Sequence, residues 1–118
     1  MSEANSAPEA VEFVRACASA DLAEGKCDLV TVHGTQVQLF RVNGEVRALD
    51  NVCPHAGAPV NCALWDGETV TCTYHGLRFQ VPNGEGLDAP GWSLETYPVK
   101  EAGGEIFVRL PLRKQPRG

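Results

Sequence analysis

The chain has 118 residues and a formal net charge of −5, which fits one domain with a modest core and excludes a nucleic-acid binder, whose partner's phosphates demand a basic face. Twelve glycines and eight prolines with few aromatics favour a loop-rich all-β domain over a helical bundle. No apolar run reaches membrane-spanning length, so no membrane association is expected. Residues 1–10 (MSEANSAPEA) lack a basic n-region and an apolar core. No secretory signal is therefore visible, and the chain is expected in the cytoplasm. That polar stretch reads as a disordered tail. The last ten positions hold Arg109, Arg113, Lys114 and Arg117 and no acid, so residues 1–108 carry 15 acids against 6 bases. The body is acidic, and residues 111–118 form a basic, mobile tail around a domain spanning 11–110.

In chain order, Val11 to Ala16 alternates as a first strand. Ser19 to Gly25 reads as a capped single turn ended by glycine. Cys27–Val32 and Gln36–Val42 are β-rich runs joined at His33-Gly34, and Asn43-Gly44 turns the chain into a third run, Glu45–Leu49. Further on, Asp66-Gly67 precedes an alternating run, Glu68–Cys72, and Leu77–Val81 forms another strand that stops at Pro82-Asn83-Gly84. Residues 82–91 are a long irregular excursion. Leu94–Lys100 and Glu105–Leu110, separated by Gly103-Gly104, read as a final hairpin.

The informative stretch is Cys53 to Phe79. Cys53-Pro54-His55 is a C-x-H unit, and Cys72-Thr73-Tyr74-His75 is a C-x-x-H unit sixteen residues beyond it. Ala56-Gly57 and Gly76 follow the two pairs, so each pair sits on a loop able to curl around an inorganic centre. Thiolate and imidazole together suit zinc, copper or an iron–sulfur cluster, whereas hard cations want carboxylates. A zinc finger usually groups a Cys pair and then a His pair. Here each loop offers one of each, which suits two loops clamping a two-iron cluster.

On these residues the chain resembles the Rieske iron–sulfur family, with Cys53, His55, Cys72 and His75 as ligands and Pro54, Gly57, Gly76 and Phe79 as flanking agreement. The resemblance implies an antiparallel β-sandwich with a small cluster-binding subdomain inserted at about residues 50–80, and one [2Fe–2S] cluster per chain. Two ferric ions, two sulfides and two thiolates sum to zero charge, so adding an electron is easier than for an all-Cys cluster. High-potential relatives carry a disulfide between the ligand loops and Ser and Tyr donors to the sulfurs. Ala58, Tyr74, Leu77 and Phe79 occupy the corresponding positions here, which cannot make that disulfide, and Leu77 and Phe79 donate nothing. The chain therefore resembles the low-potential ferredoxin branch, which passes electrons from a flavin-dependent reductase to a terminal ring-hydroxylating dioxygenase. It departs from the usual ferredoxin pattern in Leu77-Arg78. A small subunit of a nitrite reductase or another multi-component oxidoreductase is an alternative, and a zinc-stabilised interaction module is another.

Catalysis in the chain itself is not expected. His33 is the only histidine outside the motif, so an additional iron site with two His ligands cannot be built, and no Gly-rich phosphate loop is present. Cys17, Cys27 and Cys62 are expected as ordinary buried or half-buried thiols. Asp50, Asp66, Glu68, Glu85 and Asp88 read as a solvated acidic surface before a docking patch. Pro90-Gly91-Trp92 resembles the third, cluster-covering loop of the family, and reads equally as a plain turn with a packed Trp. The protein is expected to be a monomer that meets its redox partners transiently.

Overall fold

The computed structural model of the protein describes residues 13–53, 59–62, 64–72, 76–88 and 91–111. Ten strands are found among them: β1 (Val14–Ala18), β2 (Cys27–Val32), β3 (Thr35–Val42), β4 (Glu45–Asp50), β5 (Leu64–Trp65), β6 (Thr69–Thr71), β7 (Arg78–Gln80), β8 (Thr96–Tyr97), β9 (Val99–Ala102) and β10 (Glu105–Val108). They form three antiparallel sheets, ordered β9-β10-β1, β2-β3-β4-β8 and β5-β6-β7. The expected all-β antiparallel plan is the observed one, and the expected tails lie largely outside the described residues.

The four-stranded sheet is the middle layer. Its strands pair residue for residue from Cys27↔Phe40 to Val32↔Thr35 and from Val37↔Asp50 to Val42↔Glu45. Both hairpins turn through paired left-handed residues, His33 and Gly34, then Asn43 and Gly44, which is the twist a two-residue connection requires. On β3, four successive residues, Val37-Gln38-Leu39-Phe40, are fully buried. Side chains alternate across a strand, so β3 feeds two cores. Val37 and Leu39 join Val32, Ala48, Tyr97, Cys17, Ile106 and Val108 between this sheet and β9-β10-β1. Phe40 and Leu49 join Val60, Val70, Phe79, Val81 and Leu94, together with Cys53 and Cys72. Emptying the Phe40 position to Ala would cost about 3–5 kcal/mol in such a site.

Three local expectations are corrected. The first strand ends at Ala18 rather than Ala16, because pairing with β10 continues through Glu105↔Ala18 past a bulge that leaves Ala16 unmatched. Ser19–Asp21 is a 3-10 turn whose cap position, Ala18, provides no side-chain bond, so the turn is not capped as its composition suggested. The run Leu94–Lys100 is not one strand. Pro98 cannot donate to a ladder, and the chain changes sheets there: β8 pairs with β4 through Ala48↔Tyr97, and β9 pairs with β10.

Arg41 clamps the edge of the sandwich. Its Nη1 and Nη2 donate to both carboxylate oxygens of Glu101 at 3.1 and 2.7 Å, and its Nε donates to the Leu22 carbonyl at 2.6 Å. The guanidinium holds the Glu101 carboxyl down at about 2. A depressed carboxyl contributes stability that is complete above the ordinary glutamate range and is lost only as pH falls toward that value.

Gly84 carries a sharper constraint. It has φ +75 and sits where a Cβ would stand 2.2 Å from the Leu94 carbonyl oxygen, whereas Gly44, with φ +81, has open space around it. Gly84→Ala should destabilise by about 2–4 kcal/mol, from strain plus the clash, and Gly44→Ala by only about 1–2 kcal/mol. Denaturant midpoints of the two variants check this, and equal midpoints would contradict the packing described.

Candidate metal centre

The first ligand loop leaves the end of β4 through a neck of hydrogen bonds. Asn51 is fully buried; its Nδ2 donates to Asn61 Oδ1 at 2.8 Å and Gln36 Oε1 at 3.1 Å, and its Oδ1 accepts from the Asn61 N–H at 2.5 Å. The Val60 N–H donates to the Asn51 carbonyl at 2.8 Å, and Val52 bridges Pro59. Residues 51–52 and 59–61 are therefore joined at a neck, with Cys53 just inside it. Sequence reasoning missed this neck. Its signal is two asparagines ten residues apart on either side of the ligand pair, one of them, Asn61, in the left-handed region that asparagine tolerates.

The second ligand loop is the tip of the β6–β7 hairpin. Cys72 follows β6 directly. Its N–H donates to the Leu77 carbonyl at 2.8 Å, and its carbonyl accepts from the Gly76 N–H at 2.9 Å. Gly76 is left-handed at φ 70, which the tight return requires. Leu77 is half-buried, and Phe79, paired with Val70, is fully buried in the same apolar core as the two cysteines.

Of the four expected ligands the structure places Cys53 and Cys72. Both are fully buried in one apolar cluster at the bases of two loops, and none of the five cysteines is in a disulfide. His55 and His75 lie outside the described residues. Two reduced cysteines buried in one apolar cluster fit a thiophilic metal centre, because a buried thiolate is expensive until a cation neutralises it. The donor set fits a mixed thiolate–imidazole cluster on that ground.

The remaining candidates divide. His33 is exposed in its turn. Asp66 caps the β5–β6 turn, with Oδ1 accepting from the N–H groups of Glu68 and Thr69 and Oδ2 from the Thr69 hydroxyl; these bonds hold its carboxyl below the usual carboxylate range. Asp88 accepts from the Arg78 N–H at 2.9 Å and from Arg78 Nη2 at 2.8 Å, while the Leu87 N–H donates to the Arg78 carbonyl. The unusual Leu77-Arg78 pair thus has a structural use: Arg78 pins the 82–91 excursion to the ligand hairpin. Asp66 and Asp88 are engaged within the molecule and are not simply a solvated surface. Pro90 lies outside the described residues, and Trp92 is exposed. Among the described residues no helix is long and apolar enough to cross a membrane.

Comparison with known proteins agrees with this arrangement. The model of the Rieske [2Fe–2S] domain matches residues 12–98. The chain is 38% identical over 101 residues, 85% of its own length and 97% of the relative's, to the ferredoxin component of the naphthalene 1,2-dioxygenase system of Pseudomonas putida. Its fold matches the Sphingomonas yanoikuyae B1 ferredoxin with a TM-score of 0.74 and 26% identity, covering 85% of this chain and 100% of that one. It also matches a chain in the complex of reduced oxygenase and oxidized ferredoxin in carbazole 1,9a-dioxygenase, with a TM-score of 0.73, 26% identity and coverage of 82% and 92%. The named ferredoxins are electron carriers rather than catalysts, and a zinc-stabilised module is set aside. By its domain match, its fold and its paired buried thiols, the chain belongs to the Rieske [2Fe–2S] domain family, as a ferredoxin-type electron carrier.

Proposed function

We propose that this chain holds its [2Fe–2S] cluster through Cys53, His55, Cys72 and His75, on a subdomain of about residues 50–80, and passes electrons from a flavin-dependent reductase to a terminal ring-hydroxylating oxygenase. The observation that carries this reading is that Cys53 and Cys72, at the bases of two loops, are fully buried in one apolar core. The names of its relatives supply the oxygenase. The cluster, when bound, takes up and releases one electron at a time. The chain's own residues hold the sulfurs away from water: Phe79, Val60, Val70 and Leu94 pack around them. In sequence the ligand pairs are followed by small or apolar residues, Ala56, Gly57, Ala58 and Pro59 after one and Gly76 and Leu77 after the other. We take these as the transient contact face of a cytoplasmic monomer.

Iron and sulfide analysis with electron paramagnetic resonance should find one two-iron cluster, lost in Cys53→Ser and in Cys72→Ser. Stoichiometric zinc without iron would contradict the assignment.

The half-buried Leu77 packs against the core that holds both thiols and offers no donor to them. Leu77→Ser should raise the midpoint potential, because a hydroxyl beside a sulfur favours the more negative, reduced centre. A hydrogen bond to a charged group contributes about 1.5–3 kcal/mol, which bounds the rise at roughly 60–130 mV for one electron. Protein-film voltammetry reads the shift, and an unchanged or lowered potential would count against Leu77 facing the cluster.

Ala58→Glu places a charge in the proposed contact and should slow electron transfer to the oxygenase without altering the visible spectrum. Stopped-flow reoxidation with the partner would show it. Unchanged rates would move the docking face elsewhere.

A further inference from the structure

Two of the remaining thiols meet at a seam of the fold. Cys27 opens β2 and Cys62 follows the neck of the first ligand loop, 35 residues apart. Cys27 Sγ donates to the Cys62 carbonyl at 3.5 Å, so its sulfur lies against the Cys62 backbone. Both are half-buried, and both pack against the core that contains Cys53 and Cys72. Cys17 is separate, in the core on the other side of the middle sheet.

The seam fixes both partners. The Cys62 N–H donates to Gln38 Oε1 at 2.6 Å, and Gln38 Nε2 donates to the Asp50 carbonyl at 2.9 Å. Cys62 is held at φ 41, in the left-handed region that a side chain rarely adopts, directly after Asn61 at φ 60. On the other side, Cys27 pairs with Phe40, whose ring lies 4.8 Å from that of Trp65, and Trp65 Nε1 donates to the Gly25 carbonyl at 3.1 Å. Cys27 and Cys62 thus adjoin within a frame of strand pairing and hydrogen bonds.

We propose that Cys27 and Cys62 form a second redox site, a dithiol that small-molecule disulfides of the glutathione type convert to an intramolecular disulfide strapping the base of the first ligand loop to β2. The Cys27 thiolate attacks the small disulfide, whose sulfur–sulfur bond breaks to release one thiolate and leave a mixed disulfide on Cys27. The Cys62 sulfur, its proton passing to water, then displaces the second thiolate. Two protein thiols are oxidised by two electrons, and one small disulfide is reduced to two thiols. Burial first, and then the neighbouring Cys27 thiol, push the Cys62 thiol up to about 12. Cys62 therefore keeps its proton at neutral pH, and closure is slow. Closure adds a covalent link across a segment otherwise held by hydrogen bonds, which restrains the ligand loop.

The test incubates the cluster-loaded protein with oxidised glutathione, blocks residual thiols and maps peptides by mass. The expected product is a Cys27–Cys62 cross-link lacking two hydrogens. It should persist in Cys17→Ser, vanish in Cys27→Ser and in Cys62→Ser, and reopen with dithiothreitol. Release of iron to a chelator should be several-fold slower from the cross-linked protein. A glutathione adduct on Cys27 that never closes, no modification of either thiol, or a cross-link through Cys17 would overturn the proposal. Unmodified protein is mapped directly, so a variant that fails to fold does not block the answer. The protective effect rests on the proposed ligand set, but the mapping reads sulfur connectivity alone and is decided whether or not that set holds.

Discussion

The centre of the middle sheet, strand β3, is buried on both faces, and the rest of the molecule depends on that constraint. A strand covered on one side can leave alternate residues in water, but β3 cannot, so Val37, Gln38, Leu39 and Phe40 must all find partners. Three find them by packing. Gln38 finds them by hydrogen bonding at both ends of its amide, to the Asp50 carbonyl and the Cys62 N–H. Those two residues flank the first ligand loop. A buried polar group that is satisfied only when the loop is in place specifies the loop's position as firmly as packing does.

The same constraint explains why the thiols end up in an apolar core. The face of the sheet that carries Phe40 and Leu49 must be covered, and among the described residues its cover comes from β6, β7, the two loop bases, Val81 and Leu94. Cys53 and Cys72 are part of that cover. An electron carrier gains from this arrangement, because a dry, rigid surrounding leaves little to reorganise when one charge is added or removed. Arg78 and Asp88 extend the rigidity outward by tying the long excursion to the ligand hairpin. Because both are exposed, salt weakens their attraction, and the backbone bonds at Arg78 carry part of the tie.

Much of this was readable from residues close in sequence. The Cys-x-His and Cys-x-x-His spacing identifies the ligand loops because each pair is local, and His33-Gly34 and Asn43-Gly44 mark two hairpins because their turns need left-handed residues. What escaped was decided by distant partners. Leu94–Lys100 looks like one strand until β4 claims Thr96-Tyr97 and β10 claims the residues after Pro98. Nothing in the pattern of β3 says that a second layer covers Phe40. The Asn51–Asn61 neck and the Cys27–Cys62 contact join residues with no shared local motif. Asp66 and Asp88, acids near the loops expected in water, are exposed, and in addition serve a turn and an ion pair.

On the proposed ligand set, Cys53 and Cys72 would supply two thiolates and His55 and His75 two imidazoles to the cluster. Hyperfine spectroscopy of the reduced protein, grown with nitrogen-isotope-labelled histidine, tests it most directly. The account predicts couplings from two histidine nitrogens on one iron, with one set removed by substituting His55 and the other by substituting His75. A reduced cluster with no histidine coupling, or with both couplings surviving loss of either residue, would contradict it.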